Sequence, residues 1–259
     1  MENKNRDSQS NIICGRNPVL EAVRSGREID RLLVAHGVSG GSVTAIIAKC
    51  KAKGILIKEV SSQKLDYYCG GANHQGVAVL FAEQEYCQPQ DILDYAKEKG
   101  EMPFIIICDG IEDPHNLGAI IRTAEAAGVH GIIIPKRRSA SLNATVAKSA
   151  SGALEYMKVA RVTNISNTID FLKENGVWVF GADMDGTDYE KIDFNCPAAI
   201  VIGNEGKGIG ELTAKKCDQI VMLPMNGKIN SLNASVAAGI LMYEVVRKRR
   251  SHNYNGDFK

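Results

Sequence analysis

The chain has 259 residues, enough for one large domain or two smaller ones, and its hydrophobic fraction of 44% can fill a substantial core. Its 31 Lys and Arg residues against 30 Asp and Glu residues give a formal net charge of +1. This balance excludes a global basic field of the kind that attracts nucleic acids, although it leaves room for a local basic patch.

The cysteines and the polar start of the chain bear on the compartment. The cysteines are odd in number and include no C-x-x-C pair, which argues against a zinc site or a disulfide framework and for a reducing compartment. No apolar run approaches the ~18 residues that span a bilayer, and residues 1–10 are polar, unlike a signal peptide. We therefore expect a cytoplasmic protein with no metal and no membrane contact. The seven cysteines are Cys14, Cys50, Cys69, Cys87, Cys108, Cys196 and Cys217.

Residues 11–85 are predicted to form a small α/β domain behind a disordered tail at residues 1–10. Pro18 suits the first turn of a helix. The segment 86–103 carries Pro89 and a charged, weakly amphipathic helix, and we expect it to be an exposed, mobile linker. Within residues 11–85, strand and helix patterns alternate: strand 32–35, helix 43–53, strand 55–60, helix 62–68 and strand 77–81.

Residues 104–250 repeat the alternation with longer elements, and residues 251–259 are expected to be a tail. All-apolar strands between helices predict a parallel sheet covered on both faces. Leu232, Val236, Ile240 and Tyr243 recur at helical spacing, which predicts that they form the buried face of the last helix. The predicted strands are 105–108, 132–135, 157–162, 177–182, 198–202 and 220–223, and the helices are 117–127, 144–149, 165–175, 211–217 and one from about 231 to 250.

Three polar loops, 110–116, 203–210 and 224–231, each follow a predicted strand. Ligands of parallel sheets bind beyond the carboxyl ends of the strands, so we expect the three loops to share one site. In the first loop Asp113 can cap a helix, which leaves Asn116 as a surplus polar residue. Arg122 lies further along that helix in an apolar run. It either extends to solvent or offers its planar guanidinium to a phosphate.

The second loop, Gly203–Gly210, is rich in glycine but has neither the Lys-Ser/Thr pair of a P-loop nor a G-x-G-x-x-G pattern. Its glycines fit a plain tight turn, whereas Glu205 is flanked by residues that expose its carboxylate. Missing P-loop features also disfavour a nucleotide-binding phosphotransferase. The third loop leads into a helix whose start is crowded by Asn230, Ser231, Asn233 and Ser235. One cap needs one such residue, so the surplus indicates a bound polar ligand.

The N-terminal domain offers polar residues in two loops. Surface loops are the simpler interpretation, and contact with an RNA backbone is the more specific one. The C-terminal run Arg247–Arg250 is predicted to be a solvated helix end that complements the helix dipole. The candidate RNA-contacting residues are Arg16, Asn17, His74 and Gln75.

Together and in this order, the three loops resemble the SpoU/TrmH family of the knotted SPOUT superfamily, AdoMet-dependent RNA ribose 2′-O-methyltransferases. Residues 113–118 with Arg122 resemble its first motif, 202–208 its second and 223–237 its third. Residues 15–19 and 73–77 are similar to the ribosomal-protein-like substrate-binding domain of the rRNA-modifying RlmB branch.

The resemblance implies a deep trefoil knot in the C-terminal α/β domain, a homodimer, and S-adenosyl-L-methionine (AdoMet) as the cofactor. It also implies a guanosine of large-subunit rRNA as the substrate, with a tRNA ribose as the alternative; a catalytically silent RNA-binding protein of the same fold is a further alternative. The implied catalytic residues are Arg122, with Asn116, Glu205, Ser231 and Asn233 to orient it and the ribose. The implied cofactor-binding residues are Ile202, Gly203, Leu223, Met225 and Leu232.

Overall fold

A computed structural model describes residues 12–25, 29–81, 85–204, 206–229 and 231–256, the last five as helix backbone only. The chain divides between Glu85 and Tyr86 into two compact units, called unit 1 and unit 2 below. The tail predicted at residues 1–10 lies outside the described residues. The tail predicted from residue 251 is wrong as far as Gly256, because the last helix continues to that residue.

Unit 1 is built on a four-stranded sheet with the order β1-β4-β2-β3, in which β2 and β3 are parallel and the other pairs antiparallel. The short edge strand β1 escaped prediction because three residues show no clear alternation. The strands of unit 1 are β1 (Ile12–Cys14), β2 (Ile29–Ala35), β3 (Leu56–Val60) and β4 (Val77–Phe81), and the helices of unit 1 are α1 (Arg16–Arg24), α2 (Gly41–Ala52) and α3 (Ser62–Tyr68).

A disulfide joins Cys14 of β1 to Cys69, which follows α3, with Cα atoms 6.2 Å apart. The expectation of no disulfide was therefore wrong for this pair. The two residues are 55 positions apart in the chain, and no local spacing pattern links them. Cys50, Cys87, Cys108, Cys196 and Cys217 form no disulfide among the described residues.

Unit 2 contains a parallel six-stranded sheet with the order β10-β8-β9-β5-β6-β7. Because side chains alternate along a strand, Ile106 faces one core with α5, α6 and α9 while Ile105 and Ile107 face the other with α4 and α7. The strands are β5 (Phe104–Asp109), β6 (Gly131–Pro135), β7 (Lys158–Val162), β8 (Trp178–Asp188), β9 (Ala198–Gly203) and β10 (Gln219–Met222), and the helices are α4 (Pro89–Glu98), α5 (Pro114–Ala126), α6 (Ala144–Ala150), α7 (Ile165–Glu174), α8 (Glu211–Lys216) and α9 (Ala234–Gly256). The predicted doubly covered parallel sheet is confirmed.

The segment expected to be a linker is part of unit 2. Ile92 and Ala96 of α4 are fully buried, and the Cys87 N–H donates to the Val159 carbonyl at 2.9 Å. The charged residues of this segment face solvent, and its few apolar residues are enough to dock the helix. The prediction of an exposed, mobile linker was therefore wrong.

The prediction of which face of α9 is buried was also wrong. The helix packs through Ala234, Ala238, Leu241, Met242 and Val245. The predicted face is instead exposed, with relative exposures of 37% for Leu232, 50% for Val236, 38% for Ile240 and 52% for Tyr243. Both sets recur at helical spacing, so periodicity alone could not choose between them.

The C-terminal end of α9 is fixed to the starts of two strands by Arg249. Its guanidinium donates to the carbonyls of Met102 (3.1 Å), Pro103 (2.9 Å) and Cys196 (2.6 Å) and lies over the Phe104 ring. Burial lowers the pKa of Arg249 below its usual value. This arginine is thus a structural anchor, and the expectation of a wholly solvated helix end was wrong for it.

Arg249→Ala should destabilise the protein by about 1–3 kcal/mol, because the carbonyls of Met102 and Cys196 lose the guanidinium as a donor. Chemical denaturation measures the change. Arg250→Ala is the matched control, since Arg250 is exposed and its loss should change stability by no more than ~0.5 kcal/mol. Equal stabilities for the two variants would contradict the anchoring role.

Candidate active site

The first two polar loops meet at the carboxyl ends of neighbouring strands. Asp109, the last residue of β5, lies opposite Gly203, the last residue of β9. Beyond the sheet, the Asn204 side-chain amide donates to the Gly110 carbonyl at 3.0 Å. The Gly210 N–H donates to the Asp109 carboxylate at 3.3 Å. Parallel pairing brings the two loops side by side, and these two bonds hold them there.

Asn233 connects the third loop to the first. Its side-chain amide donates to the Asn116 side-chain oxygen at 3.0 Å, across 117 positions of the chain. Its own side-chain oxygen accepts from the Ser235 N–H at 2.9 Å, so Asn233 caps α9, which begins at Ala234. The helix therefore starts later than predicted, and Ser231 lies in the loop ahead of it.

The glycines of the second loop form a tight turn. Asn204 and Gly208 exchange backbone hydrogen bonds of 3.0 and 2.8 Å, and Gly208 has a φ of +64°. A Cβ atom on Gly203 would lie 2.2 Å from the Gly208 carbonyl carbon. No side chain fits at Gly203, because the backbone on the other side of the turn occupies the space.

Strand β8 contributes a wall that the sequence patterns did not predict. Ile220 of β10 pairs with Gly181, but the next residue, Val221, pairs with Thr187. The intervening part of β8 therefore bulges out of the ladder, and Asp183 is half-buried there. Polar residues in this stretch mask its extended conformation, so the predicted strand ended at residue 182.

The second and third loops and the β8 bulge enclose a cavity of about 290 Å³, and no residue of the first loop lines it. Apolar side chains, a few polar ones and the backbone of the glycine turn form its walls, a combination typical of sites for small-molecule ligands. All five predicted cofactor-binding residues line it, and so does Ser231. The lining residues are Ala182, Asp183, Met184, Ile202, Gly203, Asn204, Gly206, Lys207, Gly208, Val221, Leu223, Met225, Ser231, Leu232, Ala234 and Ala237.

Arg122 is not among the residues that line this cavity. It is exposed, and its Nη1 lies 3.4 Å from the Ser151 hydroxyl. Six residues of helix place it about 9 Å from Asn116 along the axis of α5. Within the described residues its guanidinium has no carboxylate partner, so it is available to bind an anion. Glu205, another predicted catalytic residue, lies outside the described residues.

Other chemistries find no support at this site. Burial raises the pKa of the Cys108 thiol to about 12, next to the first loop, and also raises the pKa of Cys217 to about 12. Neither thiol is a nucleophile at neutral pH, because the thiolate is the reactive form. No group of His, Cys, Asp and Glu that could hold a metal ion occurs within the described residues.

No helix in the described part of the chain is long and apolar enough to cross a membrane.

In unit 1, the structure joins the two predicted RNA-contacting loops. The Arg16 N–H donates to the Gln75 side chain and its Nε to the Gln75 carbonyl, both at 3.1 Å. Asn17 is exposed. His74 is mostly buried and bonded through both ring nitrogens, to Asp66 at 3.0 Å and to the Gly76 N–H at 2.9 Å. Arg16 and Gln75 hold the two loops together and Asn17 is accessible, whereas His74 has little exposed surface left to contact a ligand.

Comparison with known proteins agrees with this geometry. Residues 103–243 match the SpoU rRNA Methylase family, and residues 12–87 match the family described as RNA 2′-O ribose methyltransferase substrate binding. A Bacillus subtilis protein named as a TrmH family tRNA/rRNA methyltransferase, YacO, is 49% identical over 242 residues, which cover 93% of this chain and 97% of that protein. The chain belongs to the SpoU/TrmH family.

Two solved structures extend the comparison. The AdoMet-bound rRNA methyltransferase from Sinorhizobium meliloti is 29% identical, with a TM-score of 0.59 and coverage of 93% of this chain and 88% of that chain. The A. aeolicus TrmH/SpoU tRNA modifying enzyme is 25% identical, with a TM-score of 0.55 and coverage of 59% of this chain and 78% of that chain. This SpoU/TrmH protein is thus an RNA 2′-O-ribose methyltransferase that uses AdoMet.

Gly203→Ala should weaken AdoMet binding about tenfold or more, because its Cβ forces the glycine turn apart and such overpacking costs ~1–3 kcal/mol. Isothermal titration calorimetry measures the affinity. Gly206→Ala is the matched control in the same turn, since among the described residues its Cβ would meet nothing closer than the Asn204 side chain at 3.7 Å. A Gly203→Ala protein with the parent affinity would show that the turn does not shape the cofactor site.

Proposed function

We propose that this methyltransferase modifies the 2′-hydroxyl of a guanosine in large-subunit rRNA, and that it does so in the cytoplasm. The rRNA assignment rests on how much of this chain aligns with each of the two solved structures. The rRNA methyltransferase from S. meliloti aligns with 93% of the chain, whereas the A. aeolicus tRNA enzyme aligns with 59%. A tRNA ribose is the alternative substrate.

The residues at the cavity have distinct proposed roles. AdoMet, when bound, supplies a methyl group that its sulfonium has already made electrophilic. Ile202, Leu223 and Leu232 would hold the cofactor through apolar contact. The Asn116–Asn233 bond keeps the first and third loops in register, and Ser231 lies at the cavity wall to contact the ribose. The role of Glu205 stays a prediction.

Arg122 is proposed to be the catalytic cation. A guanidinium keeps its proton at any ordinary pH, so it does not serve as a general base. It would instead hold the phosphate beside the target ribose and stabilise the negative charge that develops on the 2′-oxygen. Removing one such donor from a preorganised site costs about 3–4 kcal/mol of transition-state stabilisation.

Arg122→Ala should lower kcat about 10²–10³-fold and leave AdoMet binding intact, because the arginine lies outside the cavity. Mapping of 2′-O-methyl groups in rRNA tests the substrate at the same time. Cells that carry the parent protein should show a methylated guanosine that is missing from cells with the variant. A mark found only in tRNA would favour the alternative substrate, and an unchanged mark with Arg122→Ala would refute the role of Arg122.

We infer that the protein is a homodimer and that Arg122 serves the cavity of the partner subunit. Two observations support this. Val236, Ile240 and Tyr243 form an exposed apolar stripe on α9, called the α9 stripe below. Helix α5 packs against α9, and a Cβ on Gly239 would lie 3.7 Å from Thr123, the neighbour of Arg122. A partner seated on the α9 stripe would thus come close to Arg122.

Ile240→Glu should yield a folded monomer that binds AdoMet but has lost methyl transfer, since a charge in the α9 stripe opposes burial. Analytical ultracentrifugation, calorimetry and a methyl-transfer assay measure the three properties. Leu212→Glu, which alters an exposed leucine of α8, is the control and should remain dimeric and active. A dimeric Ile240→Glu protein would contradict the interface, and a fully active monomer would contradict action of Arg122 in trans.

Two further expectations extend the proposal. Unit 1 is proposed to select the RNA through Arg16, Asn17 and Gln75, with His74 the weakest of the four candidates; unchanged RNA affinity in Asn17→Ala would count against it. The deep trefoil knot of unit 2 stays a prediction. Mechanical unfolding can test it, because a tightened knot makes the extended chain shorter than ~3.3–3.6 Å per residue.

A further inference from the structure

A basic loop, Lys136-Arg137-Arg138, directly follows β6. Since β5, β6 and β9 are parallel neighbours, this basic loop leaves the sheet at the same edge as the loops that form the cavity. The Ala140 N–H donates to the Ile111 carbonyl of the first loop at 2.8 Å. The basic loop is therefore attached directly to the loop that holds Asn116.

Both ends of the basic loop are fixed, whereas its middle is free to meet a ligand. The Lys136 N–H donates to the Val162 carbonyl at 2.8 Å, and Ala140 and Leu142 are buried. Arg137 and Arg138 between them are exposed. Because its backbone is already fixed at both ends, the loop loses little further backbone entropy when its exposed cations bind a ligand.

The cations of this edge lack the acidic partners that some other cations of unit 2 have. Lys173 pairs with Asp218 at 2.7 Å, and Arg247 pairs with Glu244 at 2.6 Å. Among the described residues, in contrast, no carboxylate lies within ion-pair distance of Lys136, Arg137 or Arg138. The same holds in the described part of the chain for Lys207 and Lys228, which are exposed on the second and third loops.

The backbone of Arg138 has a φ of +55°, a conformation that glycine adopts without cost and that other residues rarely adopt. Such a residue costs of order 1–3 kcal/mol and often marks a functional site. A glycine would relieve the strain but would remove the side chain. An arginine at this position is therefore evidence that its charge has a use.

We propose that the basic loop binds the phosphate backbone of the substrate RNA next to the target nucleotide, so that Arg137 and Arg138 position the ribose at the cavity. This inference rests on the proposed RNA substrate. Arginine fits the role because its planar fork matches phosphate oxygens and its charge is permanent. Contacts of this kind fix register without reading sequence. Sequence selection is left to other parts of the chain.

The test uses the full-length protein with AdoMet and a short single-stranded RNA of mixed sequence, whose dissociation constant is measured over a series of salt concentrations. Arg137→Gln/Arg138→Gln should weaken binding and reduce the slope of log K against log salt by about 0.7 for each lost phosphate contact. Arg137→Lys/Arg138→Lys keeps both charges and should keep most of the slope. In a methyl-transfer assay on deproteinised rRNA, the glutamine variant should raise KM more than it lowers kcat.

Lys97→Gln/Lys99→Gln is the control of matched charge. Both lysines are exposed and lie just before β5, at the amino edge of the sheet, so their loss should leave the slope and KM unchanged. A glutamine variant at Arg137 and Arg138 that behaves like this control in both assays overturns the inference. A parent protein that methylates no RNA instead contradicts the proposed function, and the salt-dependent binding still decides the role of the basic loop.

Discussion

The active site depends on a few hydrogen bonds made by asparagine side chains. Asn233 reaches from the third loop to Asn116 of the first, and Asn204 reaches from the second loop to Gly110. An amide can donate and accept at once, so each asparagine can hold its own loop and a neighbouring one. Asn204, for example, also accepts from the Gly206 N–H at 2.9 Å. These cross-links are uncharged, so they add no fixed charge at a site where a cationic sulfonium and an anionic RNA must both be admitted.

The parallel sheet determines where these cross-links can form. Every strand of the sheet in unit 2 ends at the same edge, so loops separated by about a hundred residues become neighbours. The apolar strands could be predicted from the sequence, because strands that are buried on both faces consist almost entirely of apolar residues. The irregular parts, namely the glycine turn and the β8 bulge, add the shape of the cavity. The regular sheet thus positions the loops, and the glycine turn and the β8 bulge shape the cavity.

Sequence patterns predicted most of the strands and the meeting of the loops at one edge of the sheet, because apolar runs are local signals. The five residues that the family resemblance implies for the cofactor line the cavity, and their role in binding stays a prediction. The sequence patterns were wrong where the outcome depends on distant partners. The buried face of α9 is set by what α5 presents to it, and both faces are periodic. The role of Arg249 depends on carbonyls far away in the chain, and the Cys14–Cys69 pair joins residues that no pattern connects. Helix α4 looked like a linker because its buried residues are few.

Helix α9 begins at the cap of the cavity and is anchored by Arg249 at the opposite edge of the sheet, roughly 24 Å away at 1.5 Å per residue. It therefore acts as a strut between the place where methyl transfer occurs and the place where the strands start. A substitution that loosens the Arg249 end of α9 therefore acts on the same helix whose first turn is capped by Asn233 beside the cavity.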